Sequence, residues 1–140
     1  MHYNKGKKMM LVEEMDVYTI AYKATLKLYK MTASFPNEER YGIVSQMRKA
    51  AVSIVSNMSE GSARGSTKDY MRFLIIARGS VAEVKTQLSL AQDLGYAKAE
   101  DVNDIIKDLT RTKMMLNKMI TKFESELDDS RLPTPDSRKK

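Results

Sequence analysis

The lysines and arginines are the side chains of this 140-residue sequence that most clearly suggest a chemical role. They number 24 against 18 Asp and Glu, and the formal net charge is +6. The excess is uneven, because residues 40–78 alone hold seven basic and two acidic residues, and five of the seven are arginines. Arginine suits the bidentate recognition of phosphate better than lysine does. The composition therefore favours a polyanionic partner such as RNA or DNA, with an acidic protein or an anionic lipid as the other possibilities.

A second basic group is defined by its spacing. Taken at 100° per residue on a helix, four cationic side chains after residue 100 fall within about 60° of one another, roughly opposite an apolar stripe. With the central group they make ten candidate contacts to nucleic acid: Arg48, Lys49, Arg64, Lys68, Arg72, Arg78, Lys107, Arg111, Lys118 and Lys122. The alternative interpretation is that these cations only cover the solvated face of a helical protein.

Residues that would support catalysis are scarce. The sequence has no Cys, and its single His, His2, lies in a lysine-rich segment that would not hold it as a general base or a metal ligand. A serine-rich stretch at residues 53–62 has no neighbouring base that could activate a hydroxyl. Asp101, Asp104 and Asp108 are interpreted as favourable charges near a helix N-terminus. The sequence therefore predicts a protein that is not an enzyme and that takes no metal, cofactor or small-molecule substrate.

The elements that must position the basic side chains are helices. Four segments, at about residues 11–35, 38–63, 67–94 and 99–127, repeat their apolar residues every three to four positions. Amphipathic helices of this length with short connections predict an all-α fold, an antiparallel up-down four-helix bundle. Residues 1–10 are expected to form a basic flexible tail and residues 128–140, which hold two prolines, a disordered polar tail.

The sequence also indicates where the protein resides. No segment reaches the roughly 20 apolar residues of a membrane span. The acidic pair Glu13-Glu14 interrupts the apolar region that a signal peptide would need. We therefore expect a cytoplasmic protein.

Two further groups of residues are predicted to shape the bundle and its assembly. The turn between the second and third helices is expected to be built by Asn57, Glu60, Gly61, Gly65 and Ser66. The third and fourth helices are apolar over more of their circumference than one bundle face requires, which indicates a second partner. The expected oligomer interface consists of Phe73, Ile75, Ile76, Gly79, Met114 and Met115.

Three sequence runs are similar to the motifs of a known family: residues 35–43 (FPNEERYGI), 56–64 (SNMSEGSAR) and 70–83 (YMRFLIIARGSVAE). They resemble the four-helix-bundle family of ribosomal-RNA intervening-sequence proteins, which includes the accessory variability determinant of diversity-generating retroelements. The resemblance covers about residues 11–125. Tyr18 and Val55 stand where members often have Trp and Pro, and we interpret both differences as variation in packing.

The resemblance implies a homopentameric barrel of four-helix bundles. For the retroelement subgroup it implies a non-enzymatic partner of a reverse transcriptase that binds template RNA, and possibly DNA, and supports mutagenic cDNA synthesis and retrohoming. The basic balance of the chain favours this subgroup. The alternative is an intervening-sequence protein that acts as a scaffold or protein-interaction module without a nucleic-acid role.

Overall fold

The computed structural model describes the backbone of residues 12–131 and the side chains of residues 15–129. Four α-helices make up this part of the chain: α1 (Val12–Thr32), α2 (Ile43–Ser62), α3 (Thr67–Asp93) and α4 (Ala99–Arg131). A short 3-10 helix at Asn37–Glu39 lies between α1 and α2, and no strand occurs within residues 12–131. The fold is therefore an all-α four-helix bundle.

The helices form a closed ring in which neighbours are antiparallel. Each helix packs against the next along the chain and α4 packs against α1, so that α2 and α4 lie at opposite corners. Lys27, near the end of α1, meets Asp104 near the start of α4. Tyr70, near the start of α3, meets Phe123 late in α4, with 5.2 Å between the ring centroids. We call the end with the α1–α2 and α3–α4 connections the first end, and the end with the α2–α3 turn the second end.

The apolar stripes of the four helices meet in one core. Its fully buried side chains include Leu28, Met47, Ile54, Leu74, Leu88, Leu109 and Leu116. Burial of one such side chain contributes about 1.5–3 kcal/mol to folding. Because this core determines which face of each helix turns inward, it also determines which charged side chains face solvent.

The first end of the bundle is closed by a contact between its two connections. The hydroxyl of Tyr96 donates a hydrogen bond of 2.8 Å to Oε2 of Glu39, and the ring of Tyr96 lies 5.6 Å from that of Phe35. The hydrogen bond to Glu39 raises the pKa of the Tyr96 phenol above its ordinary value, because the carboxylate stabilises the protonated form. We call this contact the Tyr96 clasp.

The connection between α1 and α2 is longer than the sequence pattern predicts. The first helix was expected to reach residue 35 and the second to begin at residue 38, but α1 ends at Thr32 and α2 begins at Ile43. The residue before a proline disfavours the helical conformation, so Phe35, which precedes Pro36, leaves the helix and is buried in the core. Gly42 is the residue that precedes α2, with φ of −104° and ψ of −115°.

The last helix, in contrast, is longer than expected. It continues to Arg131, so residues 128–131, which the sequence pattern assigned to a disordered tail, are helical. Neither Gly nor Pro occurs between residues 96 and 132, and Pro133 is the first residue that would stop the helix. The tail predictions for residues 1–10 and 132–140, and the predicted start of the first helix at residue 11, lie outside the described residues. None of the helices within residues 12–131 combines the length and apolar character that a membrane span needs.

Candidate nucleic-acid interface

The outward face of α4 carries a row of four exposed cations, Lys107, Arg111, Lys118 and Lys122, which we call the α4 stripe. The opposite face of the helix buries Leu109 and Leu116 in the core, so the cations point to solvent. At 1.5 Å per residue the α4 stripe extends over about 22 Å. None of its members forms an ion pair with a described side chain.

Acidic residues of α4 lie beyond both ends of the α4 stripe, and one lies within its span. Between residues 105 and 123 the only acid in the sequence is Asp108. Its carboxylate Oδ2 lies 2.8 Å from Nζ of Lys27 on α1, and Asp104 lies 2.9 Å from the same nitrogen. Both aspartates are therefore paired with Lys27, and no acidic residue lies between Arg111 and Lys122, so this part of α4 is locally positive.

The seam between α3 and α4 carries further positive charge, on a different side of α4 from the α4 stripe. Arg78 of α3 is half-buried, and its Nη1 donates a hydrogen bond of 3.0 Å to Oδ1 of Asn117 on α4. Burial lowers the pKa of Lys85, and the nearby charge of Lys113 lowers it further. Two lysines that repel each other across this seam would both be stabilised by an anion. Lys113 was not among the sequence candidates, because its helix position falls outside the stripe.

At the second end, Arg64, Lys68 and Arg72 are exposed but partly neutralised. Arg64 lies 3.1 Å from Glu60 and 4.9 Å from the centroid of the Phe73 ring. Arg72 lies 3.3 Å from Asp69. Of these three cations, only Lys68 forms no ion pair with a described side chain.

On α2, adjacent residues have different environments. Arg48 is half-buried and joins α2 to α1, because its Nε donates to Oγ1 of Thr32 at 3.0 Å and its Nη2 to the carbonyl of Tyr29 at 3.2 Å. Its guanidinium carbon lies 4.5 Å from the centre of the Tyr29 ring. Lys49 is exposed and forms no ion pair with the described side chains.

The ten candidate residues do not form one surface. The α4 stripe and the cations of α2 lie at opposite corners of the ring, because α2 and α4 do not pack against each other. Arg48 and Arg78 also hold helices together, so their replacement would disturb the fold. The α4 stripe is thus the most continuous candidate surface within residues 15–129.

The residues expected at an oligomer interface divide into two sets. Ile75, Ile76 and Met114 are exposed by 39%, 51% and 63%, and a Cβ added at Gly79 would meet nothing within 4 Å. Within one chain, therefore, Gly79 is not a site of close helix approach. Phe73 and Met115, by contrast, are half-buried and Met115 packs against the core. Met115 lies seven residues after Asp108 and thus on the flank of α4 that faces α1.

The α2–α3 turn is built differently from the prediction for Asn57. Asn57 lies within α2, five residues before its end, and its Nδ2 donates to the carbonyl of Ser53 at 2.7 Å. It is too far from the turn to cap it. Gly61 is buried in the last turn of α2, Gly65 has φ of +86°, and Oγ of Ser66 accepts a hydrogen bond from the Asp69 amide. Glu60 pairs with Arg64 across the end of the helix.

Two serines of α2, Ser53 and Ser62, make structural hydrogen bonds through their hydroxyls. Oγ of Ser53 lies 2.8 Å from Oγ of Ser80 on α3 and accepts a hydrogen bond of 2.9 Å from Asn57. Ser62 donates to the carbonyl of Ser59. Among the described residues, no group of three or more His, Cys, Asp or Glu side chains could hold a metal ion.

This fold and these surfaces define a four-helix-bundle protein with a polyanion-binding candidate face. The chain belongs to the 23S rRNA-intervening sequence protein family, whose sequence profile matches residues 13–118. The resemblance to intervening-sequence proteins noted above is thereby confirmed at the level of the family.

A solved structure shares the fold. It is the crystal structure, at 1.70 Å resolution, of a protein with unknown function from the S23 ribosomal protein family of Bacteroides thetaiotaomicron VPI-5482. It is 22% identical in sequence, covers 79% of this chain and 99% of its own, and has a TM-score of 0.70. A comparison with curated protein sequences gave no match.

Proposed function

We propose that this protein is a non-enzymatic accessory protein that binds RNA through the α4 stripe. The observation that carries the proposal is the stripe itself, four exposed cations over about 22 Å of one helix with no ion pair to a described side chain. Such an arrangement presents several phosphate contacts at once, and each contact releases counterions from the nucleic acid. Lys85 and Lys113 add positive charge on the side of α4 that faces α3.

The binding measurement uses two charge reversals, Lys118→Glu and Lys122→Glu, in one variant. Both side chains are exposed, so the variant keeps its core. Fluorescence anisotropy with a structured RNA should show an affinity at least roughly tenfold weaker, and a smaller dependence of log K on log salt between about 50 and 200 mM.

A matched control carries Lys23→Glu and Lys30→Glu, two exposed lysines on α1. It makes the same change in net charge and should weaken binding much less, because it leaves the α4 stripe intact. Equal losses in the two variants would show that net charge alone governs binding. Unchanged affinity in the α4 variant would reject the α4 stripe as the RNA surface.

We further propose that the accessory role is that of the retroelement subgroup, in which a homopentamer brings template RNA to a reverse transcriptase. The resemblance supports both the pentamer and the polymerase, and the basic surface supports the RNA. Exposed Ile76 and Leu90 on the outward face of α3 support contact with a second copy of the chain. A reverse-transcriptase gene and a pair of template and variable repeats beside this gene would identify the subgroup, and co-purification of the two proteins would test their contact.

The second candidate function is that of a protein-interaction scaffold. It is favoured by the same exposed apolar residues of α3, which would then meet a different protein. In that case RNA would bind weakly and the Lys118→Glu, Lys122→Glu variant would bind it no differently from the control.

A further inference from the structure

The outer surface of α2 near the first end carries a hollow of about 570 Å³ that is open to solvent. Its lining brings cations and aromatic rings together, and no carboxylate lines it. We call it the α2 hollow, and the lining residues that matter are Tyr29, Arg40, Tyr41, Ser45, Arg48 and Lys49. It lies away from the α4 stripe, because α2 and α4 occupy opposite corners.

One cation in the α2 hollow is held in place by the fold. The two hydrogen bonds of Arg48 to α1 and its position over the Tyr29 ring orient the plane of the guanidinium. Its Nη1 makes no hydrogen bond to the described residues. A phosphate that approached Nη1 would meet a donor that has already lost its rotamer freedom, which lowers the entropic cost of binding.

The other lining residues provide charge and a stacking surface. Arg40 and Lys49 are exposed and form no ion pair with the described side chains. Tyr41, just before α2, is 88% exposed and packs against no other ring in the described part of the chain. An aromatic ring beside a positive groove is the combination on which proteins stack the bases of single-stranded nucleic acids.

We propose that the α2 hollow binds a single-stranded segment of RNA, with one base stacked on Tyr41 and the adjoining phosphates on Arg48 and Lys49. This inference rests on the proposed RNA-binding function and specifies the form of RNA that one surface recognises. A base within a duplex is already stacked on its neighbours and cannot reach Tyr41. The volume of the hollow suits a mononucleotide-sized group, since it falls in the range of roughly 300–1,000 Å³ of small-ligand sites.

Because the sequence contains no Trp, an introduced Trp is the only indole and reports on its own surroundings. A Tyr41→Trp variant carries one indole, at the proposed stacking position, and titration with a single-stranded RNA of about 12 nucleotides should quench its fluorescence saturably. A duplex of the same length should quench it much less. The matched control is Tyr22→Trp, at a position on α1 that is 49% exposed and lies outside the hollow, and its fluorescence should not change.

Affinity measurements on three proteins complete the test. Tyr41→Ala should bind the single strand roughly tenfold more weakly than the unmodified chain, within the range expected for one stacked base, whereas Tyr41→Phe should bind it equally well. If Tyr41→Ala binds with wild-type affinity and the indole of Tyr41→Trp is not quenched, the α2 hollow is not a binding site. RNA binding by the α4 stripe would be unaffected by that result.

Two other outcomes would also decide the matter. If no RNA binds to any form of the protein, the proposed function itself fails and this inference fails with it. If poly-glutamate quenches the indole at position 41 as strongly as RNA does, the hollow recognises an acidic protein segment instead.

Discussion

A close approach between α2 and α3 depends on a single glycine. Gly61 is buried where the end of α2 meets the start of α3, and a Cβ added there would lie 2.8 Å from Cβ of Phe73 and 2.9 Å from Cδ1 of Tyr70. Both neighbouring atoms belong to side chains close to the backbone of α3, so they have little freedom to move. Gly61 is therefore needed for contact between helices and not for an unusual backbone angle.

Gly61→Ala is expected to destabilise the fold by about 1–2 kcal/mol, because overpacking outweighs the gain in helix propensity of up to about 1 kcal/mol. The measurement is urea unfolding followed by circular dichroism. The control is Gly79→Ala, at an exposed position with nothing within 4 Å, which should instead stabilise the helix by about 0.5–1 kcal/mol. A stabilising Gly61→Ala would contradict the close packing, and native mass spectra of both variants would show any change in assembly.

Single residues also show what the sequence can and cannot reveal. The helical period predicts that Lys118 faces solvent, because its angular position lies opposite the apolar stripe. No local pattern predicts that Arg48 bonds to Thr32 while its neighbour Lys49 stays exposed, since the partner lies sixteen positions away on another helix. The same reason explains Asn57, whose motif suggests a turn but whose partner is Ser53 within α2.

At the scale of helices, α1 and α4 are joined near the first end by one lysine between two aspartates. Nζ of Lys27 lies 2.8 Å from Asp108 and 2.9 Å from Asp104. The hydrogen bond to Asp108, followed by that to Asp104, raises the pKa of Lys27 above its ordinary value of 10.5. A raised pKa means that the folded state binds the proton more tightly than the unfolded state does.

The stabilisation from Lys27 should therefore be complete below about pH 10 and disappear as the pH rises through its folded pKa. Because the group is partly exposed, we expect Lys27→Met to lower the free energy of unfolding by only about 0.5 kcal/mol at pH 7. Urea unfolding at neutral and strongly alkaline pH would measure this difference, which should shrink in alkali. A difference that stayed constant or grew with pH would contradict the ion pairing.

The four helices could be predicted from periodicity, but the residues at which they begin and end could be predicted only in part. The proline at position 36 and the glycine at position 95 mark connections that the structure contains. The start of α2 at Ile43 was missed because residues 38–41 have helical composition but form the end of the 3-10 helix and the turn after it. The helical residues 128–131 were missed because a polar, exposed end of a helix carries no periodic signal.

For the whole molecule, the apolar surface of α3 remains uncovered within one chain. Ile76 and Leu90 are each about half exposed, and no other helix within residues 12–131 covers this side. The excess apolar arc of α3 could be predicted from the sequence, and Ile75 and Ile76 are exposed as expected. The separation of the two basic surfaces could not be predicted, because it depends on which helices become neighbours in the ring.

Ile76→Glu is expected to lower the oligomeric order of the protein, because a charge on the outward face of α3 would have to lose its hydration when a second copy packs there. Native mass spectrometry measures the order, and circular dichroism checks that the helices persist. Tyr22→Glu, at a position on α1 exposed to a similar degree, is the control and should assemble normally. An Ile76→Glu protein that assembles like the unmodified chain would exclude this face from the interface.

The Tyr96 clasp makes the two ends of the bundle unequal. At the first end, the connections on either side of the α2–α3 pair are tied together by Tyr96 and Glu39, which are 57 positions apart in the chain. If the bundle opens at the first end, this long-range contact must break. At the second end no chain connection joins α1 to α4. Local unfolding should therefore start at the second end, and backbone amides near the clasp should exchange their hydrogens more slowly than those near the beginning of α1.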